Sequence, residues 1–339
     1  MPIRYQQERA AIARMLVGLF RMWADYYSNM QLVDTIEFGF VHLFVFLGDV
    51  EDKPMSVSKL SRVTGMNLSQ NCRLLSIRYK CRMIRLTDEH WERIRDHFPE
   101  ENIADGRPGR RPIPTRYVLE AVLWILNTGA QWHMLPQSYP NYKTVHRRFQ
   151  TWCRDAVLRR VLTDVANELR DRGALNEEEC FIDATFVMAK GGGLEIGATK
   201  RGKGMKIMAI VDRHGLPLSV STHAANHHEV RLVQLCFDFY MIEAKPEKLI
   251  GDRAYDSDPL DAELRKDGIE MIAPHRCNRS KPPTQDRRRL SRYMRRWLVE
   301  RFFAWLQWQR RILIRWEYHA HNFLGFVQLA CLVMLFKRF

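Results

Sequence analysis

Cysteine is sparse here and forms no pattern. Seven thiols (Cys72, Cys81, Cys153, Cys180, Cys236, Cys277 and Cys331) are scattered over 339 residues without one C-x-x-C pair. An odd, dispersed set argues against a disulfide scaffold or a zinc framework and fits reduced thiols used for packing. Long apolar runs are also missing. The two longest, 36–47 and 323–336, are interrupted by Glu37, His42 and Gln328, and both fall short of the roughly 20 residues that span a bilayer. The opening MPIRYQQERA has no apolar stretch followed by a small-residue cleavage site, so a cytoplasmic protein with no membrane partner is expected. Acids are in deficit: 39 Asp and Glu stand against 53 Lys and Arg, a formal charge of +14. That balance favours a polyanionic partner, whether DNA, RNA or an anionic surface. With 46% hydrophobic residues the chain has ample material for a core, and its length predicts two to three structural units.

Three regions follow from the patterning. Residues 1–84 read as mostly helical. Within PMSVSKLSRVTGMNLSQNCRLLSIRYKCRMI, Val57, Leu60 and Val63 form one apolar stripe, Gly65-Met66 a turn, and Leu68, Leu74 and Leu75 a second stripe. This is a helix-turn-helix pattern, similar to that of winged-helix regulators but without the β-hairpin wing; an ordinary helical pair explains it equally well. Residues 85–172 begin with a helix capped by Thr87, pass through the Gly/Pro/Arg-rich connector ADGRPGRRPIPTR, and continue with an apolar helix over 117–126 ended by Asn127-Thr128-Gly129. A further helix starts near Asn141. Its face of Val145, Phe149 and Trp152 leaves Lys143, His146, Arg147 and Arg148 for solvent or phosphate, which makes this region the stronger candidate for reading DNA.

From Glu177 the periodicity changes. CFIDATFVMAK, MKIMAIVD and LPLSVSTHA read as an antiparallel three-stranded meander. A helix with an Asn226-Glu229 capping box follows, running to about Ile242, then strand KLIGDRAY, helix DPLDAELRKDG capped by Asp258 and closed by Gly268, and strand IEMIAP. That order predicts an α/β domain over 173–339 with a sheet of mixed direction. A basic loop (RCNRSKPPTQDRRR) leads into one helix over 293–311, and an apolar helix over 323–336 packs on the sheet.

Asp183 interrupts an apolar strand, and Asp252 ends one directly after Gly251. Either, alone, is an ordinary turn or cap residue. On the 293–311 helix, Met294, Leu298, Phe302 and Trp305 share a stripe, while Tyr293, Arg296, Glu300, Gln307 and Arg311 lie opposite. Taken alone, Glu300 is most simply a surface partner of Arg296. Together, three acids on a first strand, a later strand and a following helix are what a site needs to hold two hard divalent cations for in-line phosphoryl displacement.

FIDATFVMAKGGG, IGDRAYDSDPLDAELRKDGIEMIAPHR and YMRRWLVERFFAWLQWQRR resemble the three acid-bearing blocks of bacterial insertion-sequence DDE transposases, in particular the family numbered five. The resemblance runs from about Leu86 to the C-terminus and includes VLWILNTGAQWHMLP, in the region where that family recognises transposon ends. It implies an RNase H-like catalytic domain and Mg²⁺ dependence, with two ions and Mn²⁺ as a substitute. It further implies cleavage and strand transfer on double-stranded DNA (terminal inverted repeats and target) by a nucleoid-associated protein, expected to act as a homodimer. Residue by residue it places the catalytic, metal-binding acids at Asp183, Asp252 and Glu300. Tyr293 and Arg296 match the last block, but Gln307 stands where a basic residue is expected, leaving Arg310 or Arg311 to take that role. The DNA contacts expected are Tyr293, Arg296, Arg311, Arg253, Lys203, Lys143, Arg147 and Arg148. Residues 1–84 do not resemble the family, which suggests a chimeric reading frame.

Other motifs carry less. GATKRGKG has P-loop spacing, but Gly204 replaces the Ser/Thr that holds Mg²⁺, so a basic hairpin with Lys200, Arg201, Lys203 and Lys206 is expected. His223, His227 and His228 cluster at a helix start, with His228 and Glu229 placed near the acids. Asp212 is the best rival acid. Two other functions remain compatible with the sequence: an RNase H-like nuclease without strand transfer, and a DNA-binding transcription regulator with an inert catalytic part.

Overall fold

The computed structural model describes residues 86–103, 112–282, 284–285 and 290–339. The helix-turn-helix expected within 1–84 lies outside them, as does most of the Gly/Pro/Arg-rich connector.

Thr87 caps α1 (Asp88–Ile94), its hydroxyl accepting from the His90 N–H at 3.1 Å. α2 (Thr115–Thr128) stops at Gly129, where the backbone turns left-handed (φ 70°) at little cost because no Cβ is present. Asn141 caps α3 (Tyr142–Arg154), whose Val145, Phe149 and Trp152 are wholly buried, and α4 (Val157–Asp171) follows at once.

The sheet comprises β1 (Glu179–Ala189), β2 (Gly197–Thr199), β3 (Gly202–Val211), β4 (Pro217–Ala224), β5 (Lys248–Ile250), β6 (Glu270–Ile272) and β7 (Ile314–Arg315). β1, β3 and β4 form the expected antiparallel meander, and β5 and β6 extend it in parallel beyond β1. An antiparallel meander extended by parallel strands on the first strand's free edge is the RNase H-like arrangement. β2 and β3 make the basic hairpin that the GATKRGKG stretch suggested. Gly204 sits where β3 runs against β1 so closely that a Cβ would enter the Val187 carbonyl.

β1 is paired by β3 along one edge from Phe181 to Met188. Its other edge is paired only at the ends: β5 at Glu179 to Phe181 and β7 at Met188 and Ala189. Between them, among the described residues, the edge holding Asp183 has no strand neighbour.

Helices α5 (Glu229–Phe237), α6 (Asp258–Lys266), α7 (Trp297–Gln307) and α8 (Ala320–Phe336) complete the described part. α8 is buried on nearly all sides because it packs on β4 and also on α3 and α4, so helical layer and sheet share one core. No described helix is long and apolar enough to cross a membrane.

Two caps differ from expectation. α5 begins at Glu229 with His228 as its cap residue, so no Asn226 capping box forms, and it ends at Phe237. Ser257 is the cap residue of α6, with Asp258 its first helical residue beside Pro259. The expected single helix over 293–311 is three pieces: a 3₁₀ segment Ser291–Arg295, α7, and a 3₁₀ turn Arg310–Ile312. Leu298 and Phe302 are buried as the stripe required, joined by Val299, Phe303 and Leu306, while Met294 is 78% exposed.

Candidate active site

The two aspartates meet through strand register. β5 runs parallel to β1 with Ile250 opposite Phe181. Asp183 lies two residues past Phe181 on β1 and Asp252 two residues past the end of β5, so both stand where the two strands part. Each carboxylate is fixed by a backbone donor: Asp183 Oδ1 accepts from the Ala184 N–H at 2.8 Å, and Asp252 Oδ1 from the Ala254 N–H at 2.7 Å, heading the Arg253–Tyr255 turn.

Glu300 comes to them through an arginine. Arg296 donates from Nη1 to Asp183 Oδ2 at 2.9 Å and from Nη2 to Glu300 Oε1 at 2.6 Å. The i,i+4 pair of Arg296 and Glu300 is therefore real, but it is also the link between helix and strand. The segment is docked a second time, since Arg292 and Arg295 both bind Glu179, with Arg292 Nε to Oε1 at 2.6 Å. Glu179 and Asp183, four residues apart on β1, share a face, so three arginines align α7 along the strand. Sequence reading missed this role of Glu179; its signal is the even spacing from Asp183.

Burial pushes the Asp183 carboxyl up to about 6, against the lowering effects of the Ala184 N–H and Arg296, and the charges of Asp252 and Glu229 add to the rise. Tyr255, wholly buried, lies within the fields of Glu229, Asp183 and Asp252, and its hydroxyl has no hydrogen-bond partner among the described residues.

The remaining expectations divide. Arg253 is exposed beside Asp252, its Nη1 3.4 Å from Cys277 Sγ. Tyr293 lies next to Arg296, whose guanidinium stands 5.8 Å from the ring centre. Lys203 is exposed at the β2–β3 hairpin, six residues along β3 from Ala209, the register partner of Asp183, which is on the order of 20 Å away. Lys143 and Arg147 are exposed on α3.

Two expected DNA contacts are structural instead. Arg148 turns inward: Nε pairs with Glu100 at 2.9 Å, Nη1 donates to the Ile113 carbonyl at 2.6 Å and Nη2 to Thr115 Oγ1 at 2.8 Å. Arg311 is 6% exposed, paired with Glu317 at 2.6 Å and donating to the Ala130 carbonyl at 3.1 Å, while Arg310 beside it is exposed. Both guanidiniums are consumed by protein partners. Asp212, the rival acid, is wholly buried in its own turn, accepting from the Leu216, His214 and Asn176 N–H groups. Asp256 and Asp258 hold the 276–281 segment through Arg279, Lys281 and the Arg276 N–H.

Two family models match this chain. A model described as putative transposase of IS4/5 family matches residues 86–162, and one described as transposase DDE domain matches 175–335. A putative transposase for insertion sequence element IS6501 from Brucella ovis is 33% identical over 128 residues, covering 37% of this chain and 93% of the relative. The putative transposase for insertion sequence element IS402 from Burkholderia cepacia is 32% identical over 136 residues, 38% of this chain and 61% of the relative. Among solved structures, a piggyBac transposase synaptic complex with hairpin DNA aligns at a TM-score of 0.44 and 12% identity, over 75% of this chain and 73% of that one. The chain belongs to the IS4/5 family of insertion-sequence transposases, enzymes of the DDE type.

Proposed function

We propose that Asp183, Asp252 and Glu300 are the acids with which this transposase cleaves DNA at insertion-sequence ends and joins the freed 3′ ends to target DNA. What supports the assignment is that Asp183 and Asp252 follow two paired strands at the point where they part, and that the Arg296 guanidinium bridges Asp183 to Glu300.

DDE transposase domains depend on a divalent metal, and the donor set here fits a hard ion. Every candidate ligand is a carboxylate oxygen, the donor that a hard divalent ion prefers. Among the described residues no three His, Cys, Asp or Glu side chains close on a common point, and Arg296 stands between Asp183 and Glu300. Asp183, Asp252 and Glu300 would hold Mg²⁺, two ions by this reading and Mn²⁺ in their place, once Arg296 turns aside. The bound metal supplies Lewis acidity to the attacking and leaving oxygens.

The chain's own residues do the rest. Arg296 and Tyr293, beside the acids, and Arg253, exposed next to Asp252, position phosphates of the element end. Lys203 on the hairpin and Lys143 and Arg147 on α3 extend that contact along double-stranded DNA, with Arg310 taking the place of the basic residue that Gln307 lacks. Excision requires cutting both ends of an element, which a homodimer with one site per terminal repeat performs. The IS4/5 match begins at residue 86, which supports a boundary near 85 and residues 1–84 as a fused segment. The test is a labelled element end incubated with the full chain and Mg²⁺. Strand-transfer products are expected, and cleavage without joining would reduce the protein to a nuclease.

A further inference from the structure

A fourth carboxylate borders the acids. Glu229 opens α5, which packs against the Arg253–Tyr255 turn that Asp252 heads, and against β3. Its Oε1 lies 2.9 Å from Lys206 Nζ, which also donates to the His227 carbonyl at 3.0 Å. Lys206 stands on β3 three residues from Ala209, the partner of Asp183. Between α5 and the turn is an open cavity of about 450 Å³ with Lys206, Glu229, Ala254, Asp256 and Arg276 on its wall. Ala254 is the residue whose N–H holds Asp252, so the cavity abuts the second acid. Through that turn Glu229 lies beside Asp252, and its charge contributes to the upward pull on both Asp183 and the Tyr255 hydroxyl.

We propose that Glu229 is a further oxygen ligand of the divalent-metal site, held by Lys206 until the ion displaces it. The inference rests on the assignment of Asp183 and Asp252 above. A single Lys–carboxylate pair at the cavity wall competes weakly with a doubly charged ion held by several carboxylates, so the ion wins Glu229 readily. Displacement frees the Lys206 ammonium at the cavity wall, where a DNA phosphate is its natural partner. Metal loading and phosphate binding are thereby coupled through one residue pair.

The test is Mn²⁺ titration of the full chain without DNA, followed by calorimetry and by the paramagnetic signal of free ion. Glu229→Gln should weaken Mn²⁺ binding about tenfold or more, as should the reference Asp183→Asn. Lys206→Met should tighten it several-fold, because the competing cation is gone; this opposite sign keeps the test decisive even if Glu229→Gln folds poorly. Weakening by Asp183→Asn with no effect of Glu229→Gln or Lys206→Met would overturn the inference and leave the three-acid site standing. No effect from any of the three would overturn both.

Discussion

Asp183 should cost the protein stability, and replacing it with Asn should return that stability while removing activity. Its carboxyl titrates at about 6 in the folded chain against an ordinary 3.8, burial being the main cause. The folded state therefore holds the proton more tightly than the unfolded state, and stability falls as pH rises from below 4 through 6. A rise of about 2 on the pH scale is worth roughly 3 kcal/mol at pH 8, about half of that at pH 5 and well under 1 kcal/mol near pH 4. Asn carries no charge at any of these values, so Asp183→Asn should be stabilised by up to ~3 kcal/mol at pH 8 in metal-free buffer. Loss of the Arg296 bond is already included, since that bond moderates the rise. For a unit of this size the gain corresponds to a melting temperature raised by roughly 2–4 °C per kcal/mol. Urea or thermal unfolding of both proteins at pH 4, 5 and 8 measures it. A variant no more stable than the wild type at pH 8, or a difference that does not shrink on acidification, would refute the reasoning.

Arg311→Ala strands Glu317, 4% exposed, without its cation, and should cost about 3–5 kcal/mol in unfolding experiments. Arg148→Ala should cost about 2–3 kcal/mol through Glu100 and Thr115, and fold-normalised DNA affinity should be unchanged. Lys143→Ala and Arg147→Ala should leave the melting temperature unmoved and each lower the salt dependence of DNA-end binding by a slope of about 1, read by fluorescence anisotropy across a salt series.

The strands of the meander were legible because CFIDATF, MKIMAIV and LPLSVS are short apolar runs bounded by tight links, and with the first of them the position of Asp183. β2 and β7, three and two residues long, are too short to carry a period. The stretch 293–311 contains no Gly or Pro to announce its breaks. Its 3₁₀ entry is set by contacts of Arg292 and Arg295 with a glutamate more than a hundred residues away. Arg148 and Arg311 defeated sequence reading for a related reason. A basic side chain outside an apolar stripe is assigned to solvent by default, whereas Glu100 and Glu317 capture these two at spacings no helical pattern predicts. Glu229 was legible as a neighbour of the acids, but its pairing with Lys206 needed the fold.

The central claim is that the acid on α7 works with the two on the sheet. Single-turnover cleavage of a labelled insertion-sequence end by Glu300→Gln, in Mg²⁺ and beside an electrophoretic binding assay, tests it most directly. The account predicts that cleavage is abolished while DNA binding stays near the wild-type level; full cleavage by that variant would remove Glu300 from the site and contradict it.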